Sequence, residues 1–156
     1  MIAPGAWQSA NVRRISVEER RARLGRRHHL AAGARVDDPV VIAGGMVALH
    51  GSDPSTVYLS AAARMVTPSA ERLERALYDD RLLVRTLCMR RTMFVLPVPL
   101  VPVVQAACTD ALVPGERRRT LAMLEQNGVA DADAHLRALE ISTLAAIEER
   151  GAVTGA

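Results

Sequence analysis

Apolar positions recur along most of this chain at three- and four-residue intervals, the spacing of one helix face, and only once in the dense β-branched run expected of a strand. Ser16 to Ala32 reads as a first helix: Ser16 suits the N-cap, Glu19 three residues on completes a capping box, and Gly33 suits the exit. Asp37-Asp38-Pro39 opens a second, with Asp as cap and Pro in the first turn, and Ile42, Met46 and Leu49 as its apolar line. Gly44 and Gly45 each weaken that helix by about 1 kcal/mol relative to Ala, a cost that a close packing partner would explain. After the break at Gly51 to Pro54, a third helix runs from about Ser55 to Met65. Pro68-Ser69 opens a fourth, with Leu73, Ala76 and Leu77 facing inward and Asp79-Asp80 ending it.

The strand-like run follows. Leu83 to Met89 and Thr92 to Leu96 are apolar and β-branched, and Arg90-Arg91 between them reads as a two-residue turn, which predicts a hairpin. Pro97, Pro99 and Pro102 oppose further pairing. Three more helices are expected, at about Leu100 to Leu112, Pro114 to Gln126 and Asp133 to Arg150. Asn127-Gly128 stops the second of these. Leu136, Leu139, Thr143 and Ile147 line the last, which Gly151 ends. Met1 to Val12, which contains Trp7, has little pattern and is expected to be a mobile tail.

Charge adds a polarity that the apolar pattern does not show. The chain has 156 residues and a net charge of +3, and its 20 basic residues are all arginine. Residues 13–35 balance to +6, 36–80 to −4, 81–119 to +5 and 120–156 to −4. Alternating basic and acidic blocks suit either an anionic partner or ordinary solvated helix faces. Cys88 and Cys108 fit no metal spacing and read as reduced core thiols. No stretch approaches the roughly 20 apolar residues of a membrane span, and the opening residues lack a signal peptide's basic start and apolar run. A soluble cytoplasmic protein, without membrane or metal partners, is the expectation.

Helices followed by a hairpin with a basic tip describe a winged helix, in which a helix enters the major groove of duplex DNA and the wing sets cations against the backbone. The fold class expected is mainly α with a short β-hairpin: a first winged-helix domain over 13–112, then a helical linker and the start of a second winged helix over 113–156. Arg85, Arg90 and Arg91 are the wing candidates for DNA contact. Arg117-Arg118-Arg119 begins a helix, where cations oppose the dipole, so Arg117 and Arg118 are further phosphate candidates. His28-His29 has no acidic or thiol partner at a metal spacing and reads as solvated helix residues.

The segment Met46-Val47-Ala48-Leu49-His50-Gly51-Ser52-Asp53-Pro54 resembles the Gly-Leu-Gln-x-Gln-Asp-Pro segment of the winged-helix DNA glycosylases of the AlkZ and YcaQ type. Tyr58, Ala63-Arg64, Leu83-Val84-Arg85 and Met89 to Val95 continue the resemblance in the same order. It runs from about Ile15 to the chain end, and the greater length of family members makes this chain resemble their N-terminal part. The resemblance implies tandem winged helices and excision of alkylated bases or unhooking of crosslinks in DNA, with no cofactor. The family's catalytic Gln-x-Gln or Gln-x-Asp pair maps onto His50 and Ser52. Glutamine positions water without charge, whereas histidine also accepts a proton near neutral pH. His50 is thus the candidate water-positioning base, or else a helix-end histidine bonded to a carbonyl. Asp53 before Pro54 reads as a turn former and helix cap. Three functions remain open at this level: a DNA glycosylase, a non-catalytic winged-helix DNA-binding regulator, and a protein-interaction module.

Overall fold

The computed structural model describes residues 13–151; the Met1 to Val12 segment with Trp7, and residues 152–156 at the end of the expected second winged-helix start, lie outside the described residues. The chain divides into two compact units at Val104/Gln105. The observed class is the expected one, mostly helical with a small antiparallel sheet.

In the first unit α1 spans Val17–Arg27, α2 Pro39–Gly45, β1 Leu49–His50 and α3 Pro54–Ala62. The helix α4 spans Ala70–Glu74 and continues as a wider turn over Arg75–Asp79. Then follow β2 Leu83–Leu87, β3 Met93–Pro97 and the short α5 Val101–Val104. The caps are local chemistry. The Ser16 hydroxyl accepts the Glu19 N–H at 3.1 Å, Asp38 accepts from Val40 and Val41, Asp53 from Ser55, and Ser69 from Arg72. Each satisfies an amide that has no partner within its helix. The Glu19 side chain does not close a capping box; it pairs with Arg13 and Arg23 at 2.6 and 2.7 Å.

The sheet runs β1-β3-β2, all antiparallel. Its core-facing residues, Leu49, Leu83 and Val95, meet Ile42 and Ala43 of α2, Val57 and Ala61 of α3, Met65, Leu73 of α4 and Ala76 of the wider turn after it in one buried cluster. The order of elements from α2 onward, helix, strand, two helices, then a hairpin whose second strand lies centrally, is compatible with a winged helix.

Three details depart from the sequence pattern. First, α1 stops at Arg27 rather than near Ala32, because His29 takes a left-handed conformation, φ 56°. Its Nδ1 lies 2.8 Å from the Ala34 carbonyl oxygen, and Gly33 sits in a separate short turn. Second, α2 ends at Gly45, and Val47, at φ 70°, turns the chain so that Leu49 and His50 enter the sheet rather than extend the helix. Third, β3 continues through Pro97, which pairs with Leu83.

The second unit contains α6, Val113–Gln126, and α7, Ala132–Arg150. Gly128, φ 84°, ends the first, and Asp131 caps the second by accepting the Ala134 N–H at 3.0 Å. Leu136, Leu139 and Thr143 do share a groove on α7, with Glu140 and Leu144. Among the described residues no single helix is long and apolar enough to cross a membrane.

Gly45 shows why a glycine-weakened helix is kept. A methyl group there would lie 2.6 Å from Nε2 of His29 and 3.3 Å from the Arg27 carbonyl oxygen. Gly45→Ala is therefore expected to destabilise the fold by about 1–3 kcal/mol, the cost of overpacking a close contact. In a His29→Ala background that penalty should disappear. Equilibrium denaturation of the four proteins in this cycle reads the coupling, and additive effects would disprove the contact's role.

Asp37 joins two loops. Its carboxylate accepts the Thr67 N–H at 2.7 Å and meets Arg72 at 3.2 Å. The amide hydrogen bond from Thr67, with Arg72 beside it, lowers its pKa below the ordinary carboxylate value. A depressed folded-state pKa stabilises the fold fully above the unfolded value and is lost as pH falls through the folded value. Asp37→Ala should accordingly melt lower than wild type at pH 7, with the gap closing as pH drops below the carboxylate range. A gap independent of pH would show that charge plays no part.

Candidate active site

His50 is carried by a two-residue strand. Leu49 pairs with Val95 and His50 with Phe94, while Val95 and Phe94 pair in turn with Arg85 and Thr86 on β2. Directly paired residues share a face. Leu49, Val95 and Arg85 therefore lie toward the helices, and His50, Phe94 and Thr86 lie on the opposite face. Leu49 and Val95 are 2% and 1% exposed. Their burial fixes the register, and the register turns His50 outward.

On that outer face the imidazole of His50 stands edge-on to the Phe94 ring, with centroids 5.3 Å apart and planes at 85°. Its Nε2 is 3.5 Å from the Ser52 hydroxyl. Both residues are exposed. The donor role in that contact depends on which ring nitrogen carries the proton. A ring nitrogen and a hydroxyl at this separation can share a water molecule between them, and a neutral imidazole can accept its proton. Asp53 takes no part in this pair: its carboxylate caps α3, as its place before Pro54 suggests.

The structure brings the hairpin tip to this histidine. A cavity of about 310 Å³ is lined by His50, Met89, Arg90, Thr92 and Phe94. The hairpin turns at Arg90-Arg91, closed by Thr92 N–H to the Met89 carbonyl at 3.1 Å and by Cys88 N–H to the Thr92 carbonyl at 2.9 Å. Both arginines are left-handed, with φ 56° and 60°. A two-residue turn of this hand normally carries Asn-Gly, because a Cβ clashes with the backbone carbonyl at positive φ, a cost that Gly escapes and Asn tolerates. Two consecutive arginines keep their guanidinium groups at the hairpin tip against that preference.

The remaining candidates are placed elsewhere. Arg85 is an exposed residue that leaves β2 on the helix-facing side of the sheet, and its Nε donates to the Gly51 carbonyl at 2.8 Å. It also borders a second cavity, about 320 Å³, with Tyr58, Tyr78, Leu77 and Val57 among its walls. In the second unit Arg117 is held by Asp133 at 2.7 Å and by Glu140 at 2.9 Å, and those acidic partners raise its pKa further. Arg118 is exposed. The helix α4 and the wider turn that continues it display charges of both signs: Glu71, Arg72, Glu74, Arg75 and Asp79.

Two features of the site escaped the sequence pattern. Phe94 supplies the ring that supports His50, and its signal was only one position in an alternating strand. Gly51 carries the carbonyl that Arg85 grips, and a cross-sheet contact of that kind has no local signature.

A family model described as DNA glycosylase AlkZ-like matches residues 43–156, a span that takes in β1, the hairpin and both helices of the second unit. No curated protein and no solved structure matches the chain. The matched span covers most of the sequence and includes the His50-Gly51-Ser52 segment, so the chain belongs to the AlkZ-like DNA glycosylase family.

Proposed function

We propose that this chain binds duplex DNA and hydrolyses the N-glycosyl bond of alkylated or crosslinked bases, with His50 as the water-positioning base and Ser52 as its hydrogen-bond partner. The observation that carries the reading is the shared cavity: the His50 imidazole and the wing-tip Arg90 border the same space. Phosphate contacts at Arg90 and Arg91 hold the duplex there. A sugar developing cationic character as its base leaves then meets a water oriented by His50, which takes the proton as oxygen attacks. Within the second unit Arg117 and Arg118 are further candidates for phosphate contact, with Arg118 the freer to make one, since Arg117 already satisfies two carboxylates. Residues 13–112 form the first winged-helix domain in this reading, and 113–156 lead into a second. A DNA substrate makes this a protein of the cytoplasm in the same reading.

The wing makes its own test. Replacing Arg90-Arg91 by Asn-Gly restores the residues this turn prefers and removes two cations at once. The intact protein should gain roughly 1–3 kcal/mol of stability from relief of the left-handed strain. Its log-log salt dependence of DNA binding should flatten by about one to two units of slope. A gain in stability with an unchanged slope would return both arginines to a solvated loop.

Catalysis is tested by single-turnover excision on alkylated and crosslinked duplexes at saturating protein. His50→Ala should slow the reaction by roughly a hundredfold or more, the range of a lost general base, and Ser52→Ala by about tenfold, one hydrogen bond's worth. If wild type binds DNA but excises nothing, the chain is a non-catalytic winged-helix DNA binder; if His50→Ala excises as fast as wild type, His50 is a structural partner of Phe94 and the catalytic base is another residue.

A further inference from the structure

We infer that Arg85 is a positioning residue for the His50–Ser52 pair, acting through the Gly51 peptide rather than on DNA phosphate. The inference rests on the catalytic reading above and adds to it the group that holds the site in place.

Gly51 lies between the two site residues and is gripped from both sides. Its N–H donates to the Met93 carbonyl at 2.8 Å, extending the β1–β3 ladder by one rung. Its carbonyl accepts from Arg85 Nε, also at 2.8 Å. Gly51 is buried although His50 and Ser52 are exposed. A Cβ at this position would stand 3.4 Å from Val95 Cγ2 and 3.5 Å from the Met93 oxygen, in van der Waals contact, so the Gly51 backbone lies directly against β3. Arg85 pairs with Val95, which pairs with Leu49, so its side chain starts on the helix-facing side and reaches beneath β3 to the Gly51 carbonyl. His50 projects from the other side. Arg85 thus sets the site through the backbone, from the face that the His50 cavity does not occupy.

A bond from a guanidinium is charge-assisted and stronger than one from a neutral donor. It fixes the orientation of the peptide plane joining Gly51 to Ser52, and with it the direction in which the Ser52 side chain leaves the backbone. It also polarises that plane, whose N–H belongs to Ser52. The separation of Ser52 Oγ from His50 Nε2, 3.5 Å, is at the edge of hydrogen-bond range. A small rotation of this peptide decides whether the two groups can hold one water.

Arg85→Gln and Arg85→Leu separate the two roles. The glutamine amide nitrogen falls where Arg85 Nε lies, so it keeps a donor to Gly51 while removing the cation; leucine removes both. In the intact protein Arg85→Leu should reduce single-turnover excision about tenfold to a hundredfold, the range for loss of a charge-assisted bond. Affinity for duplex DNA should be unchanged, and Arg85→Gln should recover most of the rate. The ¹⁵N and ¹H resonances of the His50 ring should move in Arg85→Leu and stay near wild type in Arg85→Gln. A salt slope reduced by about one unit in both variants would overturn the inference and make Arg85 a phosphate contact. Unchanged excision and unchanged His50 resonances in Arg85→Leu would overturn it as well. The resonance measurement needs no turnover, so it judges Arg85 even if wild type excises nothing, a result that would instead sink the catalytic reading.

Discussion

The register of β3 between its two neighbours is the constraint on which the first unit depends. Side chains alternate along a strand, so placing Val95 against the helices forces Phe94 to the opposite face. Val95 is 1% exposed and belongs to the core cluster with Leu49, Leu83, Ile42 and Val57. Burial of that cluster is the main favourable term in holding the unit together. A slip of β1 by one residue would expose Leu49 and drive the His50 imidazole into an apolar interior. The apolar pairing that stabilises the sheet is thus also what presents the histidine outward.

Much of the local structure was legible in the sequence because it rests on local chemistry. Ser16, Asp38, Asp53 and Ser69 cap their helices through side-chain oxygens a few residues from the amides they serve. The hairpin and its Arg90-Arg91 turn followed from a β-branched run interrupted by two polar residues. What escaped was long-range. A two-residue strand such as β1 has no period to detect, and Leu49 fits a helical line as well as a sheet. The early end of α1 depends on His29 turning back toward Ala34 and seating its ring against Gly45, sixteen positions away.

The site divides in the same way. His50 and Ser52 were identified through a segment that resembles a family motif, and the structure sets them 3.5 Å apart on an exposed face. Arg85 and Arg90 looked equivalent as basic residues of one hairpin. Only the sheet distinguishes them: five residues apart in sequence, one guanidinium reaches the Gly51 carbonyl and the other borders the His50 cavity. Arg117 likewise reads as a free cation among three, until Asp133 and Glu140 from the following helix engage it.

The tight turn at the hairpin tip has a mechanical consequence. From Arg91 to Phe94 is only three residues, roughly 10 Å of extended chain, and there is no slack between them: Thr92 is bonded back to Cys88, and Met93 is already in the ladder with Leu87. A force applied at the tip cannot be absorbed by a flexible loop. It passes along β3 as along a short lever, to the strand that pairs with His50 and carries the ring beneath it. The hairpin tip and the residue that faces His50 are therefore two points on one short, fully bonded strand.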